Sequence, residues 1–313
     1  MILEPPKYFG IQKIDYFISS AEFIYNNENQ RIPNFIFDLS KMKSICLLGQ
    51  LLLYKFISYT AENHCFLDPE IKWNESQKSV FNEYGFYEIM KTYIQSPQKE
   101  DKILKSYKNI KFITKNDLLI APQRLLRKEN SVKDELEMNL FQNLKNFYIS
   151  QDAYTLVSVC VGELLSNFWS HATEDSGTVM VAYCHKDYFE ICFADNGEGV
   201  ISTLKKSNKQ YSLLSNNDVI CMAIEKGVTS KPGTDHMGLG LYFLKNICKY
   251  NNGQIKIYSE GSVLDYTKNR QNVKKVGYWK GTIIYLKINL AKIVRLCDIP
   301  ELKIQNTYEI LWG

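Results

Sequence analysis

Tyr154 to His171 reads YTLVSVCVGELLSNFWSH. Its apolar residues Leu156, Val157, Cys160, Val161, Leu164, Leu165 and Phe168 recur at three- and four-residue intervals, the period of a helix buried on one side. Glu163, Asn167 and His171 are spaced i, i+4 and i+8, so they project from one face of that helix. A carboxylate and a carboxamide one turn apart can divide labour. Asn167 offers a neutral oxygen to Mg²⁺, and Glu163 can orient or deprotonate a water. Taken alone, polar residues at helical spacing are the usual mark of a solvated stripe.

Downstream, Thr178 to Cys184 and Tyr188 to Ala194 alternate as two antiparallel strands joined by a tight connection around His185 to Asp187. Asp195-Asn196-Gly197-Glu198-Gly199 follows the second strand directly. Glycines at 197 and 199 permit positive φ and close approach of a ligand, and a carboxylate at the strand end can accept a hydrogen bond from an amino group. An ordinary turn would have the same composition. A helix is expected over Asn217 to Lys226 and another from Gly240 to Tyr250, with final strands at Gln254 to Ser259 and Thr282 to Ile288. Gly238-Leu239-Gly240-Leu241 follows the polar stretch GVTSKPGTDHM (Gly227 to Met237) and opens a helix, where backbone N–H groups form an anion site. The stretch is neither a GxxxxGK[ST] loop nor a GxGxxG fingerprint.

Upstream, Ser131 to Ile149 is an amphipathic helix, with Leu136, Leu140, Leu144 and Phe147 on one face and Ser131 placed as N-cap. Lysines at 99, 102, 105, 108 and 111 drift around a helix and fit a solvated face better than a nucleic-acid patch. Ser96 to Lys102 (SPQKEDK) is a linker. Before it, Asn34 to Leu39 is a short strand, Ile45 to Tyr59 a buried helix and Ser76 to Tyr93 a second helix, which together make a small α/β unit. The expected divisions are 1–100, 101–150 as a connecting segment, 151–290, and a tail over 291–313.

The chain has 313 residues, 45% hydrophobic and 23% charged, which excludes disorder and disulfide mini-scaffolds. Its formal charge of +4 argues for neither a nucleic-acid nor a membrane partner. The eight cysteines form no CxxC pair and the four histidines are dispersed, so reduced buried thiols are expected and structural zinc is not. No apolar stretch is long enough to span a bilayer and the start lacks a signal-peptide pattern, so a cytoplasmic protein is expected. Basic residues at 268, 270, 274, 275 and 280 alternate with Tyr266, Tyr278 and Trp279, a pattern that fits a solvated hairpin better than a phosphate-backbone contact.

Four ordered elements, ELLSNFWSHA, DNGEG, GLGL and the pair Gly281-Thr282, resemble the GHKL family of ATP-binding domains shared by gyrase, Hsp90-type chaperones, histidine kinases, the MutL group and the anti-sigma-factor kinases. The resemblance covers Asp152 to Leu290. It implies a two-layer α/β sandwich of Bergerat type with a mixed sheet, preceded by a smaller α/β domain, so an α/β (α+β) chain. It also implies ATP and Mg²⁺ as cofactors and a role for each matching residue. Asp195 would bind the adenine amino group, Gly197 and Gly199 would line the base, and Thr282 would support the same contact through water. Asn167 would hold Mg²⁺ across the phosphates, His171 a turn beyond it would be among the cofactor-binding residues, and Glu163 would be the general base or water-orienting group. Gly238, Leu239, Gly240 and Leu241 would hold the phosphate-side backbone. Leu204 to Met237 would form the lid, from which Thr229 or Lys231 would reach the γ-phosphate.

Departures narrow the branch. No histidine lies between His64 and His171, so autophosphorylation on a preceding hairpin is not expected. Gyrase, MutL and Hsp90-type members add a second domain with a catalytic lysine, and residues 291–313 are too few for one. The N-terminal FIFDLSKMKSICLLGQLLLYKF weakly resembles a STAS-like fold, but Leu47 and Leu48 stand before Gly49 where a phosphorylatable serine would be. The expected function is a slow ATPase that acts as a nucleotide-gated switch on a partner protein, a STAS-like regulator among the candidates. A serine/threonine kinase of the anti-sigma type and a non-catalytic ATP-binding module are the alternatives. Nucleic acid is a less favoured partner, and a homodimer is compatible with the family.

Overall fold

Tight turns organise the large sheet. Strands β10 (Gln254–Ser259), β11 (Ser262–Thr267) and β12 (Arg270–Lys275) are joined by the two-residue loops Glu260-Gly261 and Lys268-Asn269. All four of those residues have positive φ, the geometry whose twist matches paired strands. Strands β8 (Val179–His185) and β9 (Tyr188–Ala194) form a further hairpin, and β6 (Ile110–Thr114) and β7 (Asp117–Arg124) extend the sheet beyond it. With β13 (Thr282–Asn289) the order is β12-β11-β10-β13-β9-β8-β7-β6. The computed structural model describes residues 1–26, 35–64, 69–75, 110–114, 117–125, 130–171, 178–230 and 238–302.

The sheet is not mixed, as expected from the sequence, but antiparallel at every pairing. The helical crossover from β9 to β10 does leave these two strands pointing the same way. β13 lies between them, antiparallel to both, so no parallel pair forms. Parallel pairing is confined to the N-terminal part. There β1 (Ile2–Leu3), β3 (Ile36–Asp38) and β5 (Glu70–Lys72) make one small sheet, and β2 (Tyr8–Phe9) pairs with β4 (Ser44–Ile45). The chain is α/β in the broad (α+β) sense.

Helices cover both faces of the large sheet. Register places Ile255 and Ile257 of β10, Ile284 and Leu286 of β13, and Ile191 and Phe193 of β9 on one face. That face carries α9 (Gly240–Asn251) and beyond it α5 (Gln151–His171), whose Leu156, Val157, Cys160, Val161, Leu164, Leu165 and Phe168 are all buried as the period required. Next to α5 packs α4 (Asn130–Phe147), which begins one residue before the expected Ser131 cap. The opposite face, marked by Tyr258, Tyr285, Glu190 and Cys192, is covered by α3 (Leu47–Asn63), buried along most of its length because it lies between two apolar layers.

The N-terminal residues are joined to the sheet by specific contacts. Asp15 and Ser19 of α1 (Ile14–Ala21), then Glu22 beyond it, form a stripe at i, i+4 and i+7. Asp15 accepts from the Tyr258 hydroxyl at 2.8 Å and pairs with Lys274 at 2.7 Å. Ser19 Oγ accepts from Gly277 N and Glu22 from Tyr278 N, both at 2.9 Å. Trp279 is fully buried, with its ring edge-on to Phe56 and to Tyr25 of α2 (Phe23–Asn26). The basic-aromatic segment is therefore a solvated edge only over the first part of β12, Arg270 to Asn272, and a docking surface from Lys274 to Trp279. Replacing a buried Trp by Ala typically removes about 3–5 kcal/mol, a large part of the about 5–15 kcal/mol that holds a domain folded.

The stretch 101–150 was expected to be a connection, and it contributes β6 and β7 to the sheet. Lys111 lies in β6, while the other lysines of the run, the helix Ser76 to Tyr93 and the linker Ser96 to Lys102 fall outside the described residues. Cys160, Cys184, Cys192 and Cys248 are buried free thiols, Cys46 and Cys221 are partly buried, and Cys297 is exposed. Burial pushes the Cys46 thiol up to about 11. Among the described residues no helix is long and apolar enough to cross a membrane.

Candidate functional site

Two clusters form on the sheet face that carries α9. In the first, the start of α9 meets the middle of α5. A β-carbon on Gly240 would lie 2.5 Å from Glu163 Oε2 and 3.0 Å from Asn167 Nδ2, so glycine lets both side chains reach the start of α9 undisplaced. Burial raises the Glu163 carboxyl from 4.5 to about 7. Asn167 Nδ2 is buried and has no hydrogen-bond partner among the described residues. Among the described residues no side chain caps the α9 N-terminus, and no acidic residue stands in its first turn, which suits its leading N–H groups to an anion. His171 ends α5, but its side chain lies outside the described residues.

The chain on either side of residues 231–237 is joined beside this cluster, at a base formed by Gly227 and Gly238. Gly238 has φ +66°, and its carbonyl accepts from Gly227 N at 3.2 Å. Lys245 of α9 pairs with Glu225 at 2.7 Å and fastens the same base. Leu239 precedes α9, and Leu241 packs partly buried against the core. Thr229 is half-buried beside the loop base, and Lys231 lies outside the described residues.

In the second cluster Asp195, Gly197, Gly199, Gly281 and Thr282 meet where β9 and β13 lie side by side. Asp195 Oδ1 accepts from Gly197 N at 2.9 Å and from Thr282 N at 3.2 Å, so the carboxylate ties the turn to the neighbouring strand. Gly281 has φ +95°, and a β-carbon there would lie 2.5 Å from both Asp195 O and Asp195 Oδ1. Gly199 takes φ +89° and caps α6 (Val200–Ser207). Gly197 was also expected to use positive φ, but does not: its turn is closed by the Asp195 carboxylate, which needs only the Gly197 amide. Thr282 Oγ1 accepts from Val200 N at 3.0 Å, so its hydroxyl serves the start of α6.

Three contributors had no individual role assigned to them at this site. Glu260 reaches across from the β10–β11 turn, where its two carboxylate oxygens accept from Ser202 N at 2.8 Å and Ser202 Oγ at 2.7 Å. It acts as the acidic cap that α6 itself lacks. Trp279 Nε1 donates to Asp195 O at 3.0 Å, and Asn196 Nδ2 donates to Tyr25 Oη at 3.0 Å and to Lys280 O at 3.3 Å. The dipeptide Glu260-Gly261 between two alternating runs signals a hairpin, which would have placed Glu260 at a turn. Nothing local marks Tyr25, 171 residues from its partner.

Comparison of the chain with protein-family models, with curated proteins and with solved structures found no match.

Proposed function

We propose that this chain binds ATP and Mg²⁺ in the manner of the GHKL family and hydrolyses ATP slowly, as a nucleotide-gated switch for a partner protein. The observation that carries the reading is the meeting of Gly240 with Glu163 and Asn167. A half-buried carboxylate, an amide nitrogen with no partner among the described residues and a helix start that no described side chain caps serve packing poorly and suit a phosphate–metal group well. The order of the elements supports a Bergerat-type sandwich, with the N-terminal unit added on the far face of the sheet.

Asn167 would hold Mg²⁺, which when bound offsets phosphate charge. The ion ordinarily keeps several waters, so one protein ligand suffices. Among the described residues no group of three or more His, Cys, Asp or Glu side chains could bind a metal unaided. Glu163, half ionised near neutrality, would accept a proton from the attacking water. Backbone from Gly238 to Leu241 would hold phosphate oxygens, while Asp195, Gly199 and Thr282 would hold the base. Thr229 and Lys231 would approach the γ-phosphate from the lid. Turnover is expected to be slow because the resemblance assigns only Lys231 of the lid as cationic help there.

The test is incubation with γ-labelled ATP and Mg²⁺, with and without cell extract, following free phosphate and labelled protein together. Free phosphate that disappears in Glu163→Ala, with ATP still bound, supports the switch. Label on a serine of another chain would favour a kinase instead, and neither product would leave a binding module. Asn167→Ala should lose the Mg²⁺-dependent part of binding.

A further inference from the structure

The polar stripe of the N-terminal unit ends on the second cluster. Asp15, Ser19 and Glu22 fasten the segment Lys274 to Tyr278, and Tyr25, one turn further, reaches Asn196 inside the Asp195–Gly199 turn. The Asn196 amide is oriented by the Lys280 carbonyl, which can only accept, so the Tyr25 hydroxyl also accepts from Nδ2. The ring of Tyr25 lies 5.8 Å from Trp279, whose indole holds the Asp195 carbonyl. Two consecutive residues of the turn are thus restrained from the face of the sheet opposite to α9. Burial keeps the Tyr25 phenol neutral, so this restraint does not switch with pH in the physiological range.

We propose that Tyr25 is a positioning residue for the nucleotide site: acting through Asn196, it holds the Asp195–Gly199 turn in its binding arrangement, so that this one contact of the N-terminal unit, and not its docking as a whole, raises the affinity for adenine nucleotide. The proposal rests on the nucleotide reading above. Its physical basis is population: a turn released from this restraint spends less time in the competent arrangement, and apparent affinity falls by that fraction. By reciprocity, nucleotide binding tightens the contact with the N-terminal unit.

Binding of ATP with Mg²⁺ to the full chain is measured by calorimetry for the unsubstituted protein, Tyr25→Phe and Ser19→Ala, with Tm recorded for each. Tyr25→Phe keeps the ring packing and removes one hydrogen-bond acceptor. The expected result is a Kd weakened about three- to tenfold, and a KM raised by the same factor with kcat unchanged. Ser19→Ala removes a bond from the same docking surface without touching the turn, and its Kd should stay within about twofold of the unsubstituted value. Equal affinity in Tyr25→Phe and the unsubstituted chain overturns the proposal, as does equal weakening in both variants. No binding by the unsubstituted chain overturns the nucleotide reading itself and is seen before any variant is made. A second measurement needs no substitution: saturating Mg²⁺-ATP should slow amide exchange over residues 14–26, and unchanged exchange there overturns the coupling.

Discussion

Gly240 stands so close to Glu163 that a β-carbon at the start of α9 would come within 2.5 Å of Oε2 and push the carboxylate aside. This approach joins a helix N-terminus to a carboxylate that burial holds half-protonated near neutral pH. In water the carboxylate would ionise and interact weakly with the helix dipole. Here the two are held together with Asn167 at their side, which is an arrangement fitted to a proton transfer next to a bound anion.

Gly240→Ala tests that arrangement. Alanine is a better helix former than glycine, so local propensity predicts stabilisation. The collision falls on the far ends of Glu163 and Asn167, which can swing aside, so the fold survives with Tm changed by no more than about 2–4 °C. The displaced carboxylate should lower ATP turnover by about 100-fold. Calorimetry and a phosphate-release assay check both halves, and wild-type turnover in the variant would show that the contact has no catalytic meaning.

Glu163→Gln separates the stability effect of the carboxylate from its chemistry. Below about pH 4.5 both native and unfolded chains hold the proton, and the substitution is neutral. Between 4.5 and about 7 the native state keeps a proton that the unfolded state has lost, so stability declines as pH rises, and above 7 the full penalty is present. The displacement corresponds to about 3 kcal/mol, reduced to about 2 kcal/mol by partial access to solvent. Glu163→Gln should therefore be the more stable protein at pH 8, by roughly that amount, and equal to wild type at pH 4. Wild-type hydrolysis should rise through pH 7 while the variant remains inactive at every pH.

Much of this site was legible because it depends on local periodicity. The α5 stripe, the DNGEG turn and the GLGL helix start each occupy a short window, and the structure brings Glu163, Asn167 and Gly240 together, and separately Asp195, Gly199 and Thr282. The parallel element expected in the large sheet is absent because β13 inserts between β9 and β10, a long-range event that no window contains. The basic segment was legible as a hairpin but the bounds of β12 were not, because β12 is an exposed edge strand of basic and polar residues, without an apolar face to reveal its period. The same limit hid the role of Trp279: an aromatic among lysines looks solvated until Phe56 and Tyr25 arrive from far upstream.

Thr282 tests the distinction between holding a ligand and holding the fold. Its hydroxyl accepts from Val200 N at the start of α6. Thr282→Val keeps the shape and leaves that amide without its acceptor, which should lower stability by about 1–2 kcal/mol. Thr282→Ser keeps the oxygen and should stay close to wild type. Chemical denaturation measures both. If valine is as stable as serine, the Thr282–Val200 bond contributes nothing, and the hydroxyl is left to the role of supporting the adenine contact through water.

Removal of residues 1–75 asks whether the N-terminal unit is separable. A detachable domain would leave the remainder folded, with a cooperative melt and unchanged nucleotide binding. The observed contacts lead to the opposite expectation. Without α1 to α3, Trp279, Tyr258 and the Cys192 face of β9 are exposed together, an apolar surface that a soluble monomer does not tolerate. The Asp195 turn also loses its bond to Tyr25. The truncated chain should aggregate or melt without cooperativity in scanning calorimetry. Co-expression of residues 1–75 as a separate chain should restore part of the transition, because the docking stripe Asp15, Ser19, Glu22 and Tyr25 lies wholly within that fragment.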